Sequence, residues 1–282
     1  MPPTATTDRT TTCPICLGTK LRHHRRQTGF DVSRCLACGS FFAVLTPAQL
    51  PSYDEHYQEG SIYDGYHEGM KHALGNQELL YWYQPRMIET AGDGRNRVHL
   101  DIGSGLGTFP AITRKKNWKS IGMDVSPKAA RIAKDALGID TLLCSIEDAP
   151  LEPGSVSWIS AFEVLEHVME PRNFIRRFRE LLEVGGLVTF SVPNGRSRDE
   201  QTSTLPLNTP PTHINYFTRH SLNRLMEEHG FERIYDYEKP IAWGEIPRPK
   251  FVRLLMLPWL AFDAAVLGHK GNRLLWVGRK KA

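Results

Sequence analysis

A glycine-rich turn in the segment 98–109, VHLDIGSGLGTF, constrains the fold of this chain more than any other feature. The segment starts as a short apolar strand, ends that strand in Asp101, and then carries glycine at three alternating positions. Because glycine has no Cβ, the backbone can turn sharply here and a ligand can approach it closely. The helix predicted after the turn offers unpaired N–H groups to that ligand. The stretch therefore predicts a strand–turn–helix unit that binds a small molecule.

Two classes of ligand use such a turn, and the spacing of the glycines distinguishes them. A dinucleotide fold needs G-x-G-x-x-G, with the pyrophosphate at the helix N-terminus. In this chain Thr108 stands at the third glycine position, and Gly107 comes one residue earlier. The carboxylate of Asp101 also repels a pyrophosphate, whereas it suits a cationic amino-acid ligand. An NAD-dependent dehydrogenase and a tight turn without a ligand are therefore the weaker alternatives.

Strand-like and helix-like segments alternate after the turn. Helices are predicted over 106–116 and 171–184, the second of them closed by the Gly185–Gly186 pair. Strands are predicted over 118–123, 141–144, 156–161 and 187–192. An alternation of this kind predicts a mostly parallel sheet with helices on both faces.

Four of the five cysteines form two Cys-x-x-Cys pairs with 18 residues between them: Cys13, Cys16, Cys35 and Cys38. This spacing is typical of a four-thiolate zinc site, and full coordination would make the zinc structural rather than catalytic. A segment of about 40 residues has too small a core to fold alone, which favours a metal. Disulfides are the weaker alternative in a reducing compartment. Cys144 is interpreted as a small core residue, and His23 and His24 as solvated side chains of a loop.

The D-I-G-S-G-L-G sequence resembles the first motif of the class I S-adenosylmethionine (SAM) methyltransferases. In that family the turn packs on the amino-acid end of SAM, and an acid about twenty residues later binds the ribose hydroxyls, a position taken here by Asp124. The following strand end holds the adenine, with Ile146 as the predicted ring contact. On this resemblance, the cofactor-binding residues are Asp101, Gly103, Ser104, Gly105, Gly107, Asp124, Val125, Ser145, Ile146, Glu147 and Phe162.

The resemblance extends over residues 96–235 and includes the segments EVLEH and SVPN. It is close to the small-molecule methyltransferases that include the ubiquinone-biosynthesis O-methyltransferases. A four-cysteine ribbon before such a core resembles sugar and natural-product methyltransferases. The resemblance implies an α/β, doubly wound, Rossmann-like sheet of seven mostly parallel strands. It also implies methyl transfer to an oxygen or carbon of a small or carrier-bound acceptor, such as a sugar, natural product or quinone.

Methyl transfer requires alignment of the acceptor and a base for its proton. The segment THINYFT, residues 212–218, ends a long loop after the fifth strand, at the sheet edge where ligands bind in open α/β folds. His213 titrates near neutrality and is the candidate base, with Tyr216 as a helper. A purely structural role, in which His213 braces the loop, remains the alternative.

A second candidate group is Glu163, Glu166 and His167. Spacings of three and four residues would place them on one face if the segment is helical. The resemblance to the ubiquinone O-methyltransferases implies a divalent metal at this group. The alternative is that Glu166 and His167 orient the loop and the helix that follows.

The domain organisation follows from these motifs. Residues 1–45 are predicted as a zinc-ribbon domain, 46–95 as a linker and helical cap over the cofactor pocket, and 96–282 as the methyltransferase domain. An insertion, 239–272, contains an apolar stretch interrupted by Pro258 and Asp263, too short to span a membrane. It is interpreted as a lid or dimer contact, with membrane-surface contact as the weaker alternative. The final strand, 274–277, is expected at the sheet edge.

Composition excludes few functions. The net charge of +4 is mild, and the longest basic run, residues 22–26, is interpreted as a solvated loop. The first twelve residues have no apolar core, so a cytoplasmic protein is expected. Two alternatives to a small-molecule methyltransferase are an rRNA base N-methyltransferase with a zinc-ribbon RNA-binding element and a non-catalytic SAM-fold binding module. The oligomeric state is left open.

Overall fold

The computed structural model describes residues 6–50, 74, 81–238 and 271–282. Most of the predicted linker and cap and nearly all of the 239–272 insertion lie outside these residues. Eleven strands are described: β1 (Leu21–Gln27), β2 (Phe30–Cys35), β3 (Phe41–Val44), β4 (Val98–Ile102), β5 (Lys119–Asp124), β6 (Thr141–Leu143), β7 (Val156–Phe162), β8 (Leu182–Pro193), β9 (Asn215–Tyr216), β10 (Phe231–Glu238) and β11 (Arg273–Lys280).

Seven strands form the central sheet in the order β10-β11-β8-β7-β4-β5-β6. The five strands from β4 to β8 pair in parallel, and β11 runs antiparallel to both of its neighbours. This sheet confirms the predicted Rossmann-like class. The expectation that the last strand lies at the edge was wrong, because β11 is inserted between β8 and β10. Five consecutive buried residues, Leu274–Gly278, need cover on both faces, whereas the mostly exposed β10 suits the edge.

Six helices are described: α1 (Gln84–Ala91), α2 (Thr108–Arg114), α3 (Pro127–Leu137), α4 (Pro171–Leu181), α5 (Arg198–Thr202) and α6 (Arg219–Glu228). Two separate apolar clusters hold four of these helices against the sheet. One cluster contains Phe178 of α4 and Leu225 of α6, together with strand residues. The other contains Met87 of α1 and Phe109 of α2, packed with Trp158. The helices therefore cover the sheet in two layers.

The Gly185–Gly186 pair does not end a helix, as the sequence predicted, but lies within β8. Helix α4 ends at Leu181, where its buried face stops, and Val184 is already 66% exposed. The pairing of β7 with β8 shifts register between Val156–Leu182 and Trp158–Leu187. Gly185, with φ of +78°, supports the turn of the backbone at this irregularity.

A second, four-stranded sheet has the order β1-β2-β3-β9. Strands β1 to β3 belong to the cysteine ribbon, whereas β9 comes from the segment after α5. The predicted solvated loop with the basic run 22–26 is strand β1, paired antiparallel with β2. The antiparallel pairing of β3 with β9 makes the ribbon continuous with the segment that contains His213. Among the described residues, no helix is long and apolar enough to cross a membrane.

Candidate functional site

The glycine turn joins β4 to α2, which begins at Thr108, two residues after the predicted start. All three glycines have positive φ. A Cβ at Gly103 would lie 2.4 Å from Val164 Cγ2, and a Cβ at Gly107 would lie 2.9 Å from Ala133 Cβ. A Cβ at Gly105 would meet no atom of the described residues within 4 Å. Packing therefore requires glycine at two positions, whereas Gly105 borders open space that a ligand can enter.

Asp124, at the end of β5, accepts a hydrogen bond from the backbone of this turn. Its Oδ2 accepts a hydrogen bond from the Gly105 N–H at 2.8 Å, and its Oδ1 accepts one from the Ser126 N–H at 2.9 Å. Val125 is half-buried next to it. The hydroxyl of Ser104 is buried and has no hydrogen-bond partner within the described part of the chain. Asp124 thus binds the backbone of the turn at Gly105, whereas the Ser104 hydroxyl lies against β5, where a Cβ at Gly122 would be 2.6 Å from it.

Asp101, at the start of the turn, is buried and connected to a polar chain in the core. Ser160 Oγ donates a hydrogen bond to the Asp101 carboxylate, and Nε2 of the fully buried His99 lies 2.7 Å from Ser160 Oγ. Burial raises the pKa of Asp101 to about 7, the negative charge of Asp124 acts in the same direction, and the bond from Ser160 opposes both. Burial lowers the pKa of His99 to about 3, which keeps this imidazole neutral. A cation bound beside Asp101 would therefore favour the ionised form of its carboxyl group.

The predicted cofactor contacts that follow β6 and end β7 differ in how deeply they are buried. Ser145 Oγ donates to Asp148 Oδ2 at 2.9 Å, and Glu147 is exposed. Phe162 is half-buried, with its ring centroid 4.8 Å from that of Phe109. Ile146 is only 2% exposed and packs in the hydrophobic core, and its contact with the adenine ring stays a prediction.

A second group of titratable side chains surrounds His213. Its Nδ1 lies 3.3 Å from Glu200 Oε2, and its ring centroid lies 4.9 Å from that of His167 in an edge-to-face arrangement. His167 Nδ1 lies 2.9 Å from the carbonyl oxygen of Thr212. Burial lowers the pKa of His213 to about 4. The imidazole is therefore neutral at pH 7.

Glu166 completes this group. It is 1% exposed, and its carboxylate oxygens have no hydrogen-bond partner among the residues described. Burial raises the pKa of Glu166 well above its ordinary value, and the nearby charge of Glu200 acts in the same direction. One ligand atom from each of Glu166, His167 and His213 lies within 4.8 Å of the others. These distances would allow the three residues to hold one metal ion.

Two sequence-predicted members lie elsewhere. Glu163 was expected beside Glu166 and His167, but residues 165–167 form a 3₁₀ turn and Glu163 has φ of +57°. Its carboxylate accepts a hydrogen bond from Ser191 Oγ at 2.7 Å and pairs with Arg273. Glu163 is therefore separate from Glu166 and His167, and the three residues do not form the group that their spacing suggested.

Tyr216 faces the ribbon rather than the cluster around His213. Its hydroxyl donates to Gln27 Oε1 at 3.2 Å, and its ring packs with Val32 and Phe41. Burial raises the pKa of this phenol. The structure provides no support for Tyr216 as a helper in proton transfer.

Comparison with known proteins identifies the fold. Residues 79–235 match a family model described as a methyltransferase domain. The chain belongs to this methyltransferase family. The ubiquinone biosynthesis O-methyltransferase of Bordetella bronchiseptica is 30% identical over 129 residues, 44% of this chain and 52% of that protein. The enzyme of the same name from Thiobacillus denitrificans is 29% identical over 119 residues, 40% of this chain and 51% of that protein. The methyltransferase chain thus spans about half the length of the curated relatives it matches.

Solved structures agree on the methyltransferase fold at low identity. A SAM-dependent methyltransferase from Archaeoglobus fulgidus has a TM-score of 0.58 and 16% identity, over 78% of this chain and 100% of that chain. Phosphoethanolamine N-methyltransferase 2 of Haemonchus contortus, in complex with SAM, has a TM-score of 0.59 and 15% identity. The similarity covers 86% of this chain and 63% of that chain. These similarities establish the arrangement of strands and helices.

Sequence reasoning missed two residues at the boundary between the ribbon and the methyltransferase domain. Glu200 lies on α5, in a segment that was interpreted as an irregular loop, and no local pattern marks it as buried. Arg9 is 2% exposed, and its guanidinium donates to the carbonyl oxygens of Ala43, Ile214 and Met169. It also donates to Asn215 Oδ1 at 3.1 Å. The position of Arg9 near the N-terminus offered no signal for this role.

The four ribbon cysteines of the methyltransferase chain are buried together. The Sγ atoms of Cys13 and Cys38 are 3.8 Å apart, and those of Cys16 and Cys35 are 3.6 Å apart. All four Sγ atoms lie within 4.8 Å of one another. A disulfide would need about 2.05 Å, whereas thiolates about 2.3 Å from a tetrahedral zinc are separated by about 3.8 Å. The arrangement therefore fits a four-thiolate zinc site.

Proposed function

We propose that this protein transfers a methyl group from SAM to an oxygen or carbon of a small or carrier-bound acceptor. The observation that carries the proposal is the glycine turn, which leaves open space at Gly105 among the described residues and brings the Gly105 N–H to the carboxylate of Asp124. Family membership of residues 79–235 supports the same reaction class. When bound, SAM would supply an electrophilic methyl group and a neutral leaving group.

The residues of the turn would bind and orient this cofactor. Asp101 would provide a negative charge for the ammonium group, and Asp124 would accept hydrogen bonds from the ribose hydroxyls. The backbone at Gly103, Ser104, Gly105 and Gly107 allows close approach. Val125, Ser145, Glu147 and Phe162 remain proposed contacts along the same edge of the sheet.

His213 would act as the general base for the acceptor. A carboxylate can only accept a hydrogen bond, so an ionised Glu200 holds the proton of neutral His213 on Nδ1 and leaves Nε2 to accept the proton. The same carboxylate would stabilise the imidazolium that forms. Both side chains are shielded from water, which strengthens this interaction.

Metal binding is the competing function of this cluster. It is favoured by Glu166, whose carboxylate has no hydrogen-bond partner in the described part of the chain. A divalent ion there would polarise the acceptor directly. Metal analysis separates the two functions: the general-base function predicts one zinc per chain and no other tightly bound divalent ion, and a second bound metal would contradict it.

The predicted domains carry separate parts of this proposal. Residues 1–45 would form a structural zinc ribbon, and 96–282 would form the methyltransferase domain. The pairing of β3 with β9 supports a ribbon that braces the segment containing His213. In this arrangement the zinc would take no part in the chemistry, because four thiolates leave no open coordination position.

Native mass spectrometry of the purified protein, with and without SAM, tests the proposal. We expect a mass increase of one zinc and a SAM adduct that is lost in Asp124→Ala. The matched control is Asp135→Ala, an exposed carboxylate on α3, which should keep the adduct. A wild-type protein that binds zinc but never SAM would contradict the enzymatic function and leave the ribbon as the functional part.

A further inference from the structure

An open cleft of about 530 Å³ separates the ribbon from the N-terminal end of α6. The ribbon contributes the loop from Leu36 to Gly39, and the methyltransferase domain contributes Thr218 and the start of α6. Four guanidinium groups line the cleft, from Arg34, Arg196, Arg219 and Arg233. The carboxylates next to them are Glu238, in the lining, and Asp236, which pairs with two of the arginines. Arginines therefore outnumber carboxylates among the described residues of the cleft, which favours an anionic ligand.

Asp236 holds two of these arginines in place. Its side chain is 8% exposed and accepts hydrogen bonds from Nε and Nη2 of Arg219, from Nη1 of Arg233 at 3.1 Å, and from Asn223 Nδ2 at 3.0 Å. A guanidinium has five N–H donors, so each arginine keeps donors that this carboxylate does not use. One buried acid thus orients two cations that line the cleft, and little ordering would be required when an anion binds.

Arg34 completes the cleft from the ribbon side. It lies directly opposite Arg22 in the β1–β2 pairing, and both residues are exposed. Like charges opposite each other in an antiparallel pair are unfavourable. Arg34 packs over the Phe41 ring, 5.7 Å from its centroid, and forms no ion pair with any described residue. An anion in the cleft would offset this repulsion.

The first turn of α6 adds a weaker attraction. Thr218 caps the helix by accepting a hydrogen bond from the Ser221 N–H at 3.2 Å. The N–H groups of Arg219 and His220 have no partner within the helix, and the helix dipole places partial positive charge beside them. The cleft therefore combines fixed guanidinium groups from two structural units with a helix N-terminus.

We propose that this cleft binds the phosphoryl group of a small molecule. Guanidinium groups form paired N–H···O bonds with phosphate oxygens, and a tetrahedral dianion can receive such bonds from several directions at once. A cleft in which the described arginines outnumber the carboxylates matches a phosphate or diphosphate. That this phosphoryl group belongs to the methyl acceptor rests on the proposed function, whereas the anion site itself does not.

Calorimetric titration of the zinc-loaded, full-length protein with inorganic pyrophosphate tests the site. We expect saturable binding at low ionic strength and a loss of about tenfold in affinity for each of Arg34→Gln and Arg233→Gln. The control is Arg26→Gln, an exposed arginine of β1 outside the cleft lining, which should bind as the wild type does. Absent binding by the wild type, or an equal loss in Arg26→Gln, would overturn the site. Circular dichroism checks that Arg34→Gln, at an exposed position, is folded.

Two further titrations of the same samples separate the possible failures. If pyrophosphate binds but SAM does not, the proposed methyl transfer falls, the anion site stands, and its assignment to the methyl acceptor is overturned. A short single-stranded RNA provides the other comparison. RNA that binds more tightly than pyrophosphate, with an affinity that falls steeply with salt, would overturn the assignment to a small molecule.

Discussion

Nδ1 of His213 lies 3.3 Å from Oε2 of Glu200, and both side chains are more than nine-tenths buried. His213 lies in the loop before β9, and Glu200 lies on α5. The ribbon forms hydrogen bonds with both segments. Arg25 of β1 donates to the Glu200 carbonyl oxygen at 3.1 Å, and the Ala43 N–H of β3 donates to the carbonyl oxygen of Ile214 at 2.9 Å. The orientation of the proposed base therefore depends on the ribbon as well as on the methyltransferase domain.

Replacement of the base should separate chemistry from cofactor binding. We expect His213→Gln to lower methyl transfer by about 10²- to 10⁴-fold, because no group remains to accept the proton. Glu200→Gln should lower it by up to about 100-fold through loss of orientation, and Glu200→Asp should restore part of that loss. Incorporation of labelled methyl into a small-molecule extract measures the rate, and calorimetry should show unchanged SAM affinity. An equal loss in His23→Gln, an exposed histidine of β1, would contradict this assignment.

The affinity for SAM should depend on pH through Asp101. Burial raises the pKa of Asp101 to about 7, so this carboxyl is mostly neutral at pH 6 and mostly ionised at pH 7.5. The groups that face it are Ser160, the charge of Asp124 and, through Ser160, the neutral His99. Since only the ionised form attracts an ammonium group, affinity should rise about tenfold from pH 6 to pH 7.5. Calorimetry at several pH values measures this, and an equally steep rise in Asp101→Asn would refute the role of Asp101.

Two glycines of the turn should respond differently to the same substitution. Gly105→Ala meets no atom of the described residues within 4 Å, so its cost is the left-handed backbone, about 1 kcal/mol, while the added methyl group would intrude on the proposed SAM site. Gly107→Ala meets Ala133 Cβ at 2.9 Å and Ile139 Cβ at 3.3 Å, and should destabilise the protein by about 2 to 4 kcal/mol. Urea unfolding and SAM calorimetry of both variants test this. The same stability loss in both would show that Gly105 does not border open space.

Replacement of the buried Arg9 should weaken the contact between the ribbon and the methyltransferase domain. We expect Arg9→Met to lower the free energy of unfolding by about 3 kcal/mol, because the carbonyl oxygens of Ala43, Ile214 and Met169 lose a charged donor. Arg26→Met, at an exposed position, should change it by less than about 0.5 kcal/mol. Urea unfolding measures both variants, and equal effects would argue against a bracing role for Arg9.

Removal of zinc should disturb the proposed base but not the SAM site. After chelation, or in Cys35→Ser, we expect faster amide hydrogen exchange in β3 and in residues 213–217, since β9 depends on β3 for its pairing. SAM affinity should be unchanged, because the glycine turn belongs to the other sheet. Cys144→Ser should retain the metal. Unchanged exchange around His213 in zinc-free protein would show that the ribbon does not brace this segment.

Short-range patterns determined much of this protein. The glycine turn with Asp101 directly before it, and each Cys-x-x-Cys pair by itself, lie within a few residues, so their local geometry can be predicted from spacing alone. Alternating apolar segments were likewise sufficient for the Rossmann-like sheet. These features depend on local backbone preferences and on the burial of contiguous residues, which a single sequence displays directly.

Tertiary structure decided the arrangement around His213. Residues far apart in the chain meet in three places. Phe41 pairs with Tyr216, Glu200 contacts His213, and β11 is inserted between β8 and β10. Glu163 likewise turned towards Ser191 and Arg273 because a 3₁₀ turn replaced the helix that spacing favoured. Such contacts result from the competition of many burial and pairing alternatives across the whole fold, and no local pattern records which alternative has the lowest free energy.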